Sequence, residues 1–156
     1  MAGARKLDSV DSISATLARI VRLSVSRSAF ARQSSAADTA LSQPSYALLR
    51  VLVDEGPLPM GRLASIAHMD VGMTTRQVRA LADAGLVTRR PDPDDGRVSV
   101  IGTTAHGERA AGALHEVRRD HLARALSDWS ATDLRQFDRL LTRFLTDTRK
   151  TPITEP

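Results

Sequence analysis

The sequence has 156 residues, no cysteine and a formal net charge of +4, with 42% apolar and 26% charged residues. This length accommodates one domain with helical extensions, and the composition is typical of a folded globular protein. The lack of cysteine excludes disulfides, thiolate metal sites and cysteine nucleophiles. No apolar stretch resembles a membrane span or a signal-peptide core, so we expect a cytoplasmic protein. The arginine-rich positive charge fits an anionic partner, or reflects only the base composition of the genome.

The first third of the chain predicts two helices. Apolar residues at three- and four-residue steps predict a long helix over 7–32, and the polar segment 33–39 predicts a loop. A second helix is expected to begin near Ser42, with Pro44 in its first turn. It should end at Gly56, which suits a left-handed C-terminal position.

The middle of the chain predicts a short helix, a tight turn, another helix and a β-hairpin. Pro59 opens the short helix, Asp70 can cap the next one, and Gly85 ends it. Segments 86–90 and 97–101 are β-prone and are expected to pair. The inward face of the second of these helices is predicted to carry Thr74, Val78 and Leu81, and its exposed face Gly72, Met73, Thr75, Arg76 and Arg79.

Two further helices are predicted after the hairpin. Thr104 is expected to cap a helix that runs to about Leu126. Ser130 and Asp133 have capping-box spacing, and the helix that they begin should run to about Arg149 with an apolar stripe along one side. The predicted fold class is therefore mainly α with a small β-hairpin wing (α+β).

Residues 59–104 have the element order of a winged helix-turn-helix, which places a recognition helix in the major groove of DNA. Arginine can bridge two acceptors on guanine or bind a phosphate, and threonine can contact a phosphate or a thymine methyl group. Arg76 and Thr75 lie near the start of that helix, and Gly72 allows close backbone approach. The alternative interpretation is that Arg76 and Arg79 are only solvated.

The chain resembles the MarR (multiple antibiotic resistance regulator) family of bacterial transcription factors. The wing carries the most specific part of the resemblance, because an Asp-x-Arg pattern is followed by a strand and a capped helix at the family's spacing. The matching residues are 45–52 in the second helix, 60–64 in the short helix, 78–87, 89–97 in the wing, Thr104 and Gly107.

The resemblance implies a homodimer of single chains spanning 1–156, with dimerisation helices over 7–32 and 105–149 and a winged DNA-binding region over 43–104. Such a dimer would bind a pseudo-palindromic operator on double-stranded DNA. Two apolar-striped terminal helices also exceed what a winged module alone needs to bury. The alternative is that both helices pack back on their own subunit. We expect a repressor, since a dimer that blocks a promoter needs no polymerase contact.

The resemblance also assigns roles in the wing. Arg97 is expected to enter the minor groove, and Asp95 to support the wing. Three acidic residues near phosphates would repel DNA unless they are paired, so we expect the Asp95 carboxylate to be paired within the wing, with Arg89, Arg90 or Arg97. Thr74, Gln77 and Thr103 depart from the family pattern of apolar residues, which would allow a rotated or loosely packed recognition helix.

Ligand binding is implied only by the resemblance. Many members bind a small aromatic or anionic effector between the dimer helices and the winged module and then release DNA. Aromatic residues on helices are more often core than ligand contacts. We therefore assign no effector site, although such a crevice would draw on Phe30, Tyr46, Arg50, His68 and His115.

Neither a metal, a cofactor nor an enzymatic activity is expected. The cluster of His115, Glu116, Asp120 and His121 is close in sequence, but its two histidines are six residues apart and fall on different faces of a helix. No phosphate loop, dinucleotide fingerprint or nucleophile elbow occurs. The competing class is a winged-helix module that mediates protein assembly without specific DNA binding.

Overall fold

The computed structural model describes residues 2–24, 26–92, 95 and 98–151. Within these residues the fold is mainly helical with a small antiparallel sheet, as predicted. No helix in the described ranges has the length and hydropathy needed to cross a membrane. The elements in chain order are α1 (Ala2–Ser24), α2 (Arg27–Ala36), α3 (Gln43–Glu55), β1 (Leu58–Pro59), α4 (Met60–Ile66), α5 (Val71–Asp83), β2 (Val87–Pro91), β3 (Ser99–Thr103), α6 (Ala105–Ala125) and α7 (Ala131–Lys150).

The prediction of one continuous helix over 7–32 is wrong. The Ser26 side chain accepts a hydrogen bond from the backbone N–H of Ala29 at 3.3 Å, so it caps a new helix. A serine N-cap stabilises a helix start, which favours a break at this point. The predicted loop over 33–39 is also too long, because α2 continues to Ala36.

The core lies between α3, α4, α5, the sheet and the first half of α6. Its buried apolar side chains form one cluster. Thr74 is polar but is also among the largest fully buried side chains. The predicted inward face of α5 is confirmed, since all three predicted residues are buried. The largest fully buried side chains are Leu48, Leu49, Leu52, Leu63, Thr74, Val78, Leu81, Ile101 and Leu114.

The sheet has the strand order β1-β3-β2. The predicted hairpin is confirmed with a small shift, because Val87 pairs with Thr103 and Pro91 with Ser99. Strand β1 was not predicted, and its two residues pair antiparallel with Ile101 and Val100. This third strand connects the end of α3 to the wing before α4 begins.

The junction between the sheet and α6 is unusually close. Thr104 caps α6, because its Oγ1 accepts from the N–H of Gly107 at 3.0 Å and donates to the carbonyl of Gly85 at 2.8 Å. A Cβ added at Gly107 would lie 2.0 Å from the carbonyl oxygen of Leu86. Only glycine therefore allows α6 to begin against the start of β2.

The chain divides into two compact units, Met1–Arg118 and Arg119–Pro156. In the second unit, Ser130 caps α7 as predicted, since its hydroxyl oxygen accepts from the N–H of Asp133 at 3.1 Å. Trp129 packs edge-to-face against Phe137, with ring centroids 5.4 Å apart. None of the residues of α7 is buried, although the helix carries a pronounced apolar stripe.

Candidate DNA interface

The start of α5 is fixed by local hydrogen bonds. Oδ1 of Asp70 accepts from the N–H of Met73 at 2.7 Å and forms the predicted N-cap. The hydroxyl of Thr74 donates to the Asp70 carbonyl at 2.9 Å, and that of Thr75 donates to the Val71 carbonyl at 2.8 Å. The preceding turn requires a positive φ of 53° at His68. These bonds hold the N-terminal turn, where the positive end of the helix dipole favours an anion such as a phosphate.

The predicted DNA-facing residues lie together on one side of α5. Gly72, Thr75, Arg76 and Arg79 are exposed, and Met73, which was also predicted on the exposed face, is half-buried. The Arg76 side chain folds back toward the helix start, because its Nη1 lies 4.0 Å from a Cβ added at Gly72. Two arginines and a threonine are thus presented beside a helix N-terminus.

The tip of the wing is only partly described, and Arg97 lies outside the described residues. Asp95 is half-buried, its backbone N–H donates to Oδ1 of Asp92 at 3.3 Å, and its carbonyl accepts from the N–H of Val98 at 2.8 Å. The pairing of the Asp95 carboxylate stays a prediction. On β2, Arg89 and Arg90 are exposed and bring two further cations to the wing.

The three departures from the expected apolar pattern have structural explanations. Thr74 is completely buried, and its hydroxyl is satisfied by the helix backbone, so the predicted inward face of α5 is kept despite this departure. Thr103 donates from Oγ1 to Oε1 of Glu108 at 3.1 Å. Gln77 accepts from the hydroxyl of Ser45 at 2.9 Å. The sequence analysis noted Gln77 only as an irregularity, because its partner belongs to a different helix.

The residues considered for ligand or metal binding do not share one environment, since Arg50 is half-buried and His68 is exposed. Phe30 and Tyr46 are buried in the core, with ring centroids 6.1 Å apart, and the guanidinium of Arg118 lies 5.1 Å from the Tyr46 centroid. The candidate metal residues, by contrast, are all exposed on α6, and the described residues contain no group of three or more that could hold a metal ion. These exposed residues are His115, Glu116, Asp120 and His121.

A groove of about 650 Å³ opens beside α5 in the first unit. It is mostly apolar, with one arginine and three polar side chains at its border. The lining residues come from α2, the start of α3 and its approach, the turn before α5, and α5 itself: Arg27, Phe30, Ala31, Leu41, Ser42, Gln43, Pro44, Ala47, Met69 and Gln77.

Replacing Asp70 by alanine is expected to destabilise the protein by about 1 kcal/mol, because an unsatisfied N-cap typically costs that much. The reason is the loss of the bond between Oδ1 and the N–H of Met73. Urea denaturation measures the change. Asp70→Asn keeps the acceptor and should retain most of the stability, so equal losses in the two variants would contradict the capping role.

Comparison with known proteins agrees with this architecture. The model of the MarR family matches residues 41–99. The HTH-type transcriptional regulator YxaD of Bacillus subtilis is 33% identical over 119 residues, which cover 76% of this chain and 83% of that protein. The HTH-type transcriptional repressor IacR of Pseudomonas putida is 25% identical over a region that covers 65% of this chain and 60% of that protein.

A solved structure shows the same fold. A MarR family protein from Bacillus stearothermophilus superimposes with a TM-score of 0.79, covering 91% of this chain and 96% of its own, at 23% identity. The similarity to YxaD extends well beyond the matched family segment, and the strand pairing of the wing is observed in the structure independently of it. The chain therefore belongs to the MarR family of DNA-binding transcription regulators and is not an enzyme.

Proposed function

We propose that the chain is a homodimeric repressor that binds a pseudo-palindromic operator in double-stranded DNA. The observation that carries this proposal is the exposed side of α5, which presents Thr75, Arg76 and Arg79 beside a capped helix N-terminus. Its target is chromosomal DNA, so we place its action in the cytoplasm. Repression rather than activation is supported by the name of IacR, which is a transcriptional repressor. It is also supported because a dimer that blocks a promoter needs no contact with the polymerase.

In this proposal the N-terminal half of α5 enters the major groove. Arg76 would bridge acceptors on a guanine or bind a phosphate, and Arg79, one turn further on, would contact the backbone. Gly72 and Met73 lie at the helix start, where the chain passes close to the phosphates. The buried opposite face of α5, with Val78 in the core, keeps these residues pointing outward.

In the same complex the wing contacts the flanking minor groove. Arg97 is the proposed minor-groove residue, because the strong negative potential of a narrow groove attracts arginine. Asp95 supports the wing through its backbone bonds to Asp92 and Val98. Two wings on a twofold-symmetric dimer would contact two half-sites separated by about one helical turn of DNA.

A homodimer is supported by apolar side chains that the described chain leaves exposed. In α1, Ile13 is 50% exposed and Val21 58% exposed, and in α7 Leu141 is 50% exposed and Phe144 38% exposed. Stripes of this size on two long helices are rare on monomers and indicate a protein partner. A second copy of the chain offers matching stripes on both helices, so we propose 7–32 and 105–149 as the dimerisation segments, flanking the DNA-binding region 43–104.

Replacing Leu141 by aspartate is expected to weaken the dimer by more than about tenfold, because a twofold interface buries the new charge twice. The variant should fold as well as the wild-type chain, since Leu141 is half exposed in the isolated subunit. Sedimentation equilibrium measures the dissociation constant. Arg139→Asp, on the opposite side of α7, is the matched control, and an equal loss there would contradict an interface at the apolar stripe.

In this proposal a small-molecule effector regulates the binding of DNA. The groove beside α5 combines apolar walls, including Phe30, with the guanidinium of Arg27. This lining suits a small aromatic anion, which would release DNA by favouring a dimer geometry with the wrong spacing of recognition helices. Its border includes Gln77 of α5, so an occupant would contact the recognition helix itself.

Selection of DNA from a random-sequence duplex library tests the function. A regulator should enrich a pseudo-palindrome whose half-sites lie about one helical turn apart. An assembly module that does not recognise DNA sequences, the competing function, should enrich no motif. Recovery of a single unpaired half-site would support DNA recognition and contradict the proposed dimeric mode.

A further inference from the structure

We propose that Gln77 is a positioning residue for DNA recognition, which fixes the rotation of α5 through a relay of hydroxyl groups at the start of α3. We call Ser42, Ser45 and Gln77 the serine relay. This inference rests on the proposed use of α5 as the recognition helix. In this proposal Gln77 contacts the side chains at the start of α3 and does not contact the DNA.

Both hydroxyl groups of the serine relay lie within hydrogen-bond distance of Gln77. The Ser45 hydroxyl donates to Oε1 of Gln77 at 2.9 Å, and Oγ of Ser42 lies 3.2 Å from the same oxygen. Within α3, the N–H of Ser45 donates to Oγ of Ser42 at 3.2 Å, and Oγ of Ser42 lies 2.8 Å from Oγ of Ser45. The single hydrogen of the Ser42 hydroxyl can therefore be donated either to Ser45 or directly to Gln77. The N-cap of α3 is thereby joined to the recognition helix.

The buried face of α5 keeps its exposed side outward, and the bond to Gln77 adds a directional contact to that packing. In the first turns of the helix the packing is lighter, because Thr74 is buried there while Val71 is 56% exposed. Apolar burial has no directional preference, whereas a hydrogen bond restricts both distance and angle. Gln77 follows Arg76 directly, so a rotation that broke its bond would also move the Arg76 side chain. Base contacts tolerate only small displacements of this kind.

Ser45 allows this role to be separated from direct contact with DNA. Its side chain is almost completely buried, with 6% of the residue exposed, whereas Gln77 is half-buried. Ser45→Ala therefore cannot act by removing a contact to DNA, and the side chains that its hydroxyl bonds are Ser42 and Gln77. Ser34 provides a matched control, because it is 5% exposed and its hydroxyl donates to the Thr39 carbonyl at 2.7 Å, away from α5.

The test compares Ser45→Ala, Gln77→Met, the double variant and Ser34→Ala in the full-length chain. The probes are the duplex that the wild-type chain selects from a random library and a scrambled duplex of equal length. Gln77→Met should lower the preference for the selected duplex about threefold to tenfold, the effect of one hydrogen bond. Ser45→Ala should lower it by a smaller factor, because the Ser42 hydroxyl can then donate to Gln77. The double variant should lose no more than Gln77→Met alone, and Ser34→Ala should keep the wild-type preference.

Three results would overturn the proposal: an unchanged preference in Gln77→Met, losses that multiply in the double variant, or an equal loss in Ser34→Ala. Hydrogen exchange of the α5 amides gives a second readout without DNA, and it should quicken over 71–78 in Ser45→Ala but not in Ser34→Ala. If the wild-type chain shows no sequence preference, the proposed function fails, and the exchange comparison alone decides on the relay. Equal exchange in the two variants would then reject it.

Discussion

Replacing Gly107 by alanine is expected to lower the free energy of unfolding by about 3 kcal/mol or more, which is large for a single methyl group. The new Cβ would lie 2.0 Å from the carbonyl oxygen of Leu86, far inside contact distance. That carbonyl also accepts from the N–H of Thr104 at 3.1 Å, so it cannot move aside without breaking the junction between the sheet and α6. Urea denaturation of the purified variant measures the loss.

Gly112→Ala is the matched control in the same helix. A Cβ at Gly112 would meet no atom within 4 Å, so the substitution should bring only the gain in helix propensity, up to about 1 kcal/mol. The two variants therefore differ in the contact with Leu86 and not in the chemistry of the change. Similar unfolding midpoints for both would show that α6 does not require glycine at position 107.

Replacing Arg76 by alanine is expected to weaken binding to the selected duplex about tenfold to a hundredfold, the cost of losing one arginine contact to a base. Arg76 is exposed near the N-terminus of α5, on the opposite side of the helix from its buried face. Fold stability should change little, because its guanidinium is not part of the core. Fluorescence anisotropy with the selected and scrambled duplexes measures the effect.

Arg149→Ala, in the last turn of α7, removes the same charge and should change binding by less than about threefold. The pattern across the two duplexes identifies the type of contact. A loss confined to the selected duplex indicates a base contact, whereas equal losses with a lower salt dependence indicate a phosphate contact. If Arg76→Ala weakened binding no more than Arg149→Ala does, Arg76 would not belong to the interface.

The helix starts were predictable because capping is a short-range interaction. Ser42, Asp70, Thr104 and Ser130 each accept a hydrogen bond from a backbone N–H three residues later, as expected from sequence. The period of apolar residues likewise predicted the buried face of α5 correctly. These signals depend on neighbours a few residues apart, which sequence patterns contain.

The features that could not be predicted depend on distant residues. The two-residue strand β1 exists because Leu58 pairs with Ile101, and no local pattern marks so short a strand. The break at Ser26 was hidden because apolar periodicity continues on both sides of it. The bond from Ser45 to Gln77 joins two helices, so Gln77 showed itself only as a polar residue at an unexpected position.

The most direct test of the central claim is a fluorescence-anisotropy titration of the purified wild-type chain against the DNA immediately upstream of its own gene and a scrambled duplex, at two salt concentrations. The account predicts two protomers per site, an affinity that falls steeply with salt, and a preference of roughly 10³-fold or more for the upstream DNA. Equally weak binding to both duplexes at both salt concentrations, together with no enriched motif in the selection from a random library, would contradict it.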